Sequence, residues 1–287
     1  MQFYDTSSAG NATLIANDGT VDGGEIDFFG ESTGGNARFE LFGKGTLNPT
    51  DFQTGTPRTV GSIEGDGVVL LGRSILTIGS NSLSTTFSGT MEGTGAITKI
   101  GSGTLTLGEA KTYTGGTTVS EGMLVVTNGN GSATGTGTVM VNAGILGGSG
   151  IVSGAVAVGT GSGTGAFLAP AANTKIPTTF TTTGLLFLQA DATYIYTLRA
   201  KPPRSQADRV IANEVTISGA KFAFRPKISG TLQAGTVFTA ISNTSANPIS
   251  GTFSNLPDGG TVTVGSNTFQ ANYDGGDGND LTLTVVP

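Results

Sequence analysis

Residues 63–89 (IEGDGVVLLGRSILTIGSNSLSTTFSG) are echoed by residues 91–116 (MEGTGAITKIGSGTLTLGEAKTYTGG), and this self-similarity constrains the fold more than any other feature of the chain. Glu64 falls on Glu92, Gly65 on Gly93, Gly67 on Gly95, Val69 on Ile97 and Gly72 on Gly101; Leu76-Thr77-Ile78 falls on Leu105-Thr106-Leu107 and Phe87 on Tyr113, with small gaps. A shorter echo sets TTVSEGMLVV (117–126) against VMVNAGILGG (139–148). Within each unit apolar residues alternate over three to five positions, and a Gly, Asn or Ser cluster ends each run, the pattern of short strands joined by tight turns. Such strands suit a β-sandwich or a β-solenoid. A sandwich need not repeat in sequence, whereas a solenoid stacks coils of roughly 20–30 residues and must reuse equivalent positions. The expected fold is therefore all-β, a right-handed parallel β-helix (β-solenoid) with one repeat per coil. Each strand should pair in parallel with its counterpart about 4.8 Å away along the axis.

Composition agrees. The chain has 287 residues, of which 48 are Gly and 46 Thr. Gly costs about 1 kcal/mol per helical position, but at a sharp corner it supplies positive φ; Thr suits a half-buried strand surface and can form hydroxyl ladders between coils. Charged residues are 12% and the net charge is -6, so a basic nucleic-acid footprint is absent and no nucleic-acid partner is expected. With no His and no Cys, imidazole base chemistry, thiolate nucleophiles, disulfides and most zinc sites are excluded. Apolar runs such as Val68–Leu71 and Gly184–Leu188 fall far short of the ~20 residues of a membrane helix, so no membrane insertion by this chain is expected. Met1-Gln2-Phe3-Tyr4-Asp5 has neither a basic nor an apolar export region, so no signal is expected there.

The texture changes near residue 176, where strands lengthen and aromatics become commoner, as in Thr193–Leu198 and Lys221–Phe224. Two regions are expected: a solenoid repeat region over 1–175, and a C-terminal β-rich continuation or cap over 176–287. The Gly-rich stretch 127–165 reads as small coils rather than a linker, because Val139–Val141 and Val156–Val158 punctuate it.

Residues 93–146 resemble the autotransporter-associated β-strand repeat of bacterial passenger-type surface proteins. Its signature, K-x-G-x-G-T-L-x-L followed by T-Y-x-G-G-T-x-V-x-x-G-x-L, is met by Lys99, Gly101, Gly103, Thr104, Leu105 and Leu107, then by Thr112, Tyr113, Gly115, Gly116, Thr117, Val119, Gly122 and Leu124. The flanks 23–47 and 251–283 are similar in character to such proteins. Ala169-Pro170 departs from the family, standing where relatives tend to carry a Pro-Gly turn, and with no outer-membrane barrel within residues 1–287, secretion through a pore of these residues' own is not expected. The resemblance implies a right-handed parallel β-helix, an extracellular or bacterial cell-surface location, and a structural or adhesive role without catalysis.

Candidate sites follow from residue chemistry. Asp274, Asp277 and Asp280, in DGGDGND, offer the hard oxygen ligands of calcium, but the nonapeptide pattern breaks at Thr282 and a tight turn before the final strand explains them as well. Glu25 and Asp27 lie two apart on one strand and could serve as an acid–base pair, although exposed carboxylates usually mark a solvated surface; no catalytic residues are assigned. Phe28, Phe29, Phe39, Phe42, Tyr113, Tyr194 and Tyr196 could stack on a cell-surface or matrix polysaccharide, against the alternative that they fill the core. Lys201-Pro202-Pro203-Arg204 could grip an anionic polymer or form a rigid loop. The terminal strands, through Gln2, Phe3 and Tyr4 at one end and Leu281, Leu283 and Val285 at the other, are the expected self-association surfaces for end-to-end stacking into a homo-oligomer or filament.

Overall fold

The computed structural model describes residues 1–49, 57–174, 176–201, 204–225 and 230–287. All regular elements among them are strands, and the expected parallel β-helix is present. Two compact units are distinguished, residues 1–140 with 150–154, and residues 141–149 with 155–287.

In the first unit three parallel ladders form the walls of the coil. One runs through Thr13–Ala16, Arg38–Leu41, Ser62–Gly65, Thr85–Phe87, Thr104–Leu107 and Met123–Val126. A second runs through Gln2–Phe3, Glu25–Phe28, Thr46–Asn48, Val68–Gly72 and Thr90–Gly93. The third holds Arg58–Val60, Ile75–Ile78, Ala96–Lys99 and Thr117–Val119. Because side chains alternate across a strand, every second residue turns inward. Leu41, Phe87, Leu107 and Val126 are thus buried in one file, with the half-buried Gly65 in register between Leu41 and Phe87, where a Cβ would stand 2.0 Å from Leu41 O. Each such side chain contributes about 1.5–3 kcal/mol by leaving water.

The register corrects the repeat as aligned by sequence. Leu76 stacks on Ile97 and Ile78 on Lys99, whereas Leu105 and Leu107 belong to another ladder, opposite Thr85 and Phe87. The 63–89 echo therefore advances one coil and about one further wall. All three walls use the same short apolar alternation, so a strand of one wall aligns readily with a strand of the next. The coil itself is shorter and drifts, from 25 residues between Thr13 and Arg38 to 19 between Thr104 and Met123.

The second unit also begins with parallel ladders: Gly144–Gly148, Ala166–Leu168, Ala192–Tyr196 and Lys221–Phe224; Val156–Val158, Leu186–Leu188 and Val215–Ile217; and Thr179–Thr182, Arg209–Ala212 and Val237–Asn243. Its coils are wider, 30 residues between Val156 and Leu186, and aromatics fill them. Tyr194, Tyr196, Phe222, Phe224, Phe253 and Phe269 make a continuous series of ring contacts with centroids 5.2–6.3 Å apart. After Val237–Asn243 the pairing turns antiparallel: Asp280–Val286 lies between that strand and Asn267–Gly275, and Thr261–Val264 lies outermost.

Candidate functional site

The first unit carries a groove of about 460 Å³ on the outward face of its first ladder. In Arg38–Leu41, Phe39 and Leu41 enter the core, which sends Arg38 and Glu40 outward. One coil on, Glu64 lies in register with Glu40. Two carboxylates facing each other across a ladder repel, and Arg38 resolves this by pairing with both, its Nε lying 3.2 Å from Glu40 and in hydrogen-bond contact with Glu64. The hydrogen bond that Arg38 donates to Glu64 raises the Arg38 pKa above its ordinary value. Beyond this cluster the wall is made of hydroxyls: Ser84, Thr85, Thr86, Thr104 and Thr106, with Thr86 and Thr106 in register. Phe42 closes the groove at the strand's end, 40% exposed, its N–H donated to Ala16 O at 2.9 Å and its own carbonyl accepting the Gly45 N–H at 2.8 Å.

The residues of the repeat signature have structural roles. Lys99 stands in the file between Ile78 and Val119 and is 1% exposed. Its ammonium donates to Ile100 O at 2.6 Å, Gly101 O at 2.7 Å and Glu121 O at 3.4 Å, a cage of corner carbonyls. Burial pushes its pKa down to about 8, opposed by the charge of Glu121. The cage closes only because Gly101 and Gly122 adopt φ of 68° and 70°; a Cβ on Gly122 would stand 2.3 Å from Gly101 O. Lys111 is held similarly, donating to Glu109 O at 2.6 Å with its Nζ 5.7 Å from the Phe87 ring centroid, and burial lowers its pKa to about 8. Tyr113 is fully buried with its hydroxyl 2.5 Å from Thr117 Oγ1.

The remaining candidates are dispersed. Asp27 is nearly buried and accepts hydrogen bonds from the amides of Gln2 at 3.4 Å and Asn48 at 3.3 Å, while Glu25 is exposed; burial, then the neighbouring Asp27 charge, raises the Glu25 pKa. Asp274 and Asp277 are exposed, but Asp280 turns inward to accept the Asn243 N–H at 2.9 Å, with burial raising its pKa. Among the described residues no group of three or more Asp and Glu side chains is arranged to hold a metal ion. Five of the seven aromatics (Phe28, Phe39, Tyr113, Tyr194 and Tyr196) are in the core, and Phe29 is half-buried against Tyr4, which leaves Phe42. Pro202 and Pro203 lie outside the described residues; beside them, the Arg204 N–H donates to Lys201 O at 2.7 Å.

The expected docking role of the final strand needs correction. Leu281, Leu283 and Val285 are buried, and both backbone edges of Asp280–Val286 are already paired, so the folded strand offers no free edge to a second copy. At its antiparallel end the edge strand of that sheet is Thr261–Val264. Gln2 and Phe3 pair with Asp27 and Phe28 at the outside of their own ladder, and Phe3 stacks on Phe28 at 4.9 Å.

Comparison with known proteins agrees with this construction. The family described as Passenger-associated-transport-repeat matches residues 97–126, the segment that contains the Lys99 cage, Tyr113 and Gly122. The chain is also similar to the adhesin BmaC autotransporter of Brucella suis biovar 1 (strain 1330), at 35% identity over 108 residues. That match covers 37% of this chain and 3% of the adhesin. Residues 97–126 thus match a passenger-associated transport repeat, and they are built into a parallel β-solenoid.

Proposed function

We propose that this chain is a non-catalytic adhesive element of the bacterial cell surface or surrounding matrix, presenting a rigid β-solenoid wall to its target. The observation that carries this reading is the passenger-type repeat at 97–126 set in register within the solenoid; similarity to a protein named as an adhesin supports it. Adhesion suits such a wall physically. Neighbouring coils fix one another through continuous ladders, so a surface drawn from several coils binds with little ordering cost. The Arg38–Glu40–Glu64 face is the contact region best formed for that role, since it combines charge, hydroxyls and one exposed ring.

The reading is tested by coating inert beads with the purified chain and counting attachment to host cell layers and to deposited extracellular matrix. Attachment several-fold above beads coated with an unrelated β-rich protein is expected. Attachment no greater than that control on every surface would overturn it.

A further inference from the structure

We propose that the groove on the first ladder binds a neutral oligosaccharide, laid along the solenoid across successive coils. This deepens the adhesive reading by naming the chemical class of the target, and it rests on that reading only for its biological purpose.

Three observations select the ligand. The first is charge. The groove holds one guanidinium against two carboxylates, in a chain of net charge -6, so a polyanion is repelled both locally and at a distance. The second is the kind of polar group on offer. Glu40 and Glu64 each retain acceptor lone pairs after pairing with Arg38, the guanidinium has further N–H donors, and Thr86 and Thr106 can donate or accept. Sugar hydroxyls, which are donor and acceptor at once and come in vicinal pairs, can use all of these, whereas an apolar partner would leave them unpaired at a cost. The third is Phe42. It is half-exposed on a turn pinned at both its N–H and its carbonyl, and its ring is available to the C–H face of a pyranose. Five of the other aromatics considered for sugar stacking lie in the core and Phe29 is half-buried against Tyr4, whereas Phe42 lines the groove.

The architecture also sets the direction of binding. Thr86 and Thr106 are register partners on adjacent coils, about 4.8 Å apart as in any parallel ladder. Glu40 and Glu64 repeat that step on the coils before. A flexible polymer with a regular array of hydroxyls meets the same spacing at each coil, so several weak contacts act together. A peptide would instead use an unpaired strand edge or an apolar pocket, and this face is neither.

The test uses the full chain, isotopically labelled, titrated with neutral hexasaccharides of glucose, galactose, mannose and xylose, and with polygalacturonate and heparin as anionic counterparts. At least one neutral hexasaccharide should shift the amide signals of Arg38–Leu41, Ser62–Gly65, Thr85–Phe87 and Thr104–Leu107. Phe42→Ala and Arg38→Gln should each weaken that binding about tenfold while the circular dichroism spectrum is unchanged. Thr106→Val, which keeps the side-chain shape, provides a second variant and should weaken it several-fold. The proposal is overturned if no neutral sugar perturbs these strands at millimolar concentration, if Phe42→Ala leaves affinity intact, or if the anionic polymers bind here instead. Beads that adhere although no neutral sugar perturbs these strands would sink this proposal and leave adhesion standing. Sugar binding by a chain whose beads never adhere would do the reverse.

Discussion

At the scale of single residues, the buried cations set this chain apart from a plain aliphatic solenoid. Lys99 occupies a file position where Ile78 and Val119 are its neighbours, and it is retained there because corner carbonyls accept its protons. Lys99→Met fills the same volume but orphans those carbonyls, and should cost about 1–3 kcal/mol in urea unfolding. The cost also depends on pH in a definite direction. The native pKa of about 8 lies below the ordinary 10.5, so between those values the unfolded chain holds more protons on this amine than the folded one. Folding penalises the charged form; that penalty is full below pH 8 and fades as pH rises through the window. The stability gap between the parent and Lys99→Met should therefore widen from pH 7 to pH 10, and a gap that narrows would show that the carbonyl cage outweighs desolvation and would contradict the lowered pKa. A second contrast concerns two neighbouring tyrosines. Tyr194 donates to Ala240 O at 3.0 Å, whereas the buried Tyr196 hydroxyl finds no partner among the described residues. Tyr194→Phe should lose about 1 kcal/mol and Tyr196→Phe should be neutral or stabilising, measured as shifts in thermal midpoint. The sequence displayed Lys99 as a motif letter but hid its burial, since a lysine is by default a surface residue and only the register puts it in line with Ile78 and Val119.

Among elements, the final strand illustrates how local reading and tertiary placement part. Leu281, Leu283 and Val285 alternate as an amphipathic edge strand would, yet Asp280–Val286 runs inside a mixed sheet, antiparallel to both of its neighbours. Deleting residues 281–287 should therefore dismantle this sheet, seen as lost β-signal by circular dichroism and rapid proteolysis of 237–275. Intact folding with altered assembly would instead mark the strand as an interaction edge. Alternation alone does not tell an edge strand from a central one, because both bury one face; the deciding fact is which partners fill the two backbone edges. The groove was illegible for a related reason. Arg38 and Glu40 share a face by simple alternation, but Glu64, Thr86 and Thr106 join them only through offsets of 20 to 24 residues. The aligned repeat gave a longer step and brought Thr106 to Thr77, on a different wall.

For the molecule as a whole, the fold class was legible and the register of the long echo was not. Glycine and threonine content, short apolar alternations and self-similarity are properties of any one wall, and they specify a parallel solenoid without specifying which strand lies above which. That register decides everything functional here: the Lys99 cage, the facing Glu40 and Glu64, and the wall of hydroxyls all follow from it. Because the chain has no cysteine, it can be tested with pairs of spin labels on introduced cysteines and no background. Thr77 is the reference position, labelled in turn with Thr98, its register partner, and with Thr106, its partner in the sequence repeat. Strong dipolar broadening for Thr77 with Thr98, and none for Thr77 with Thr106, is the predicted result; broadening of the Thr77–Thr106 pair alone would contradict the stacking on which the site is built.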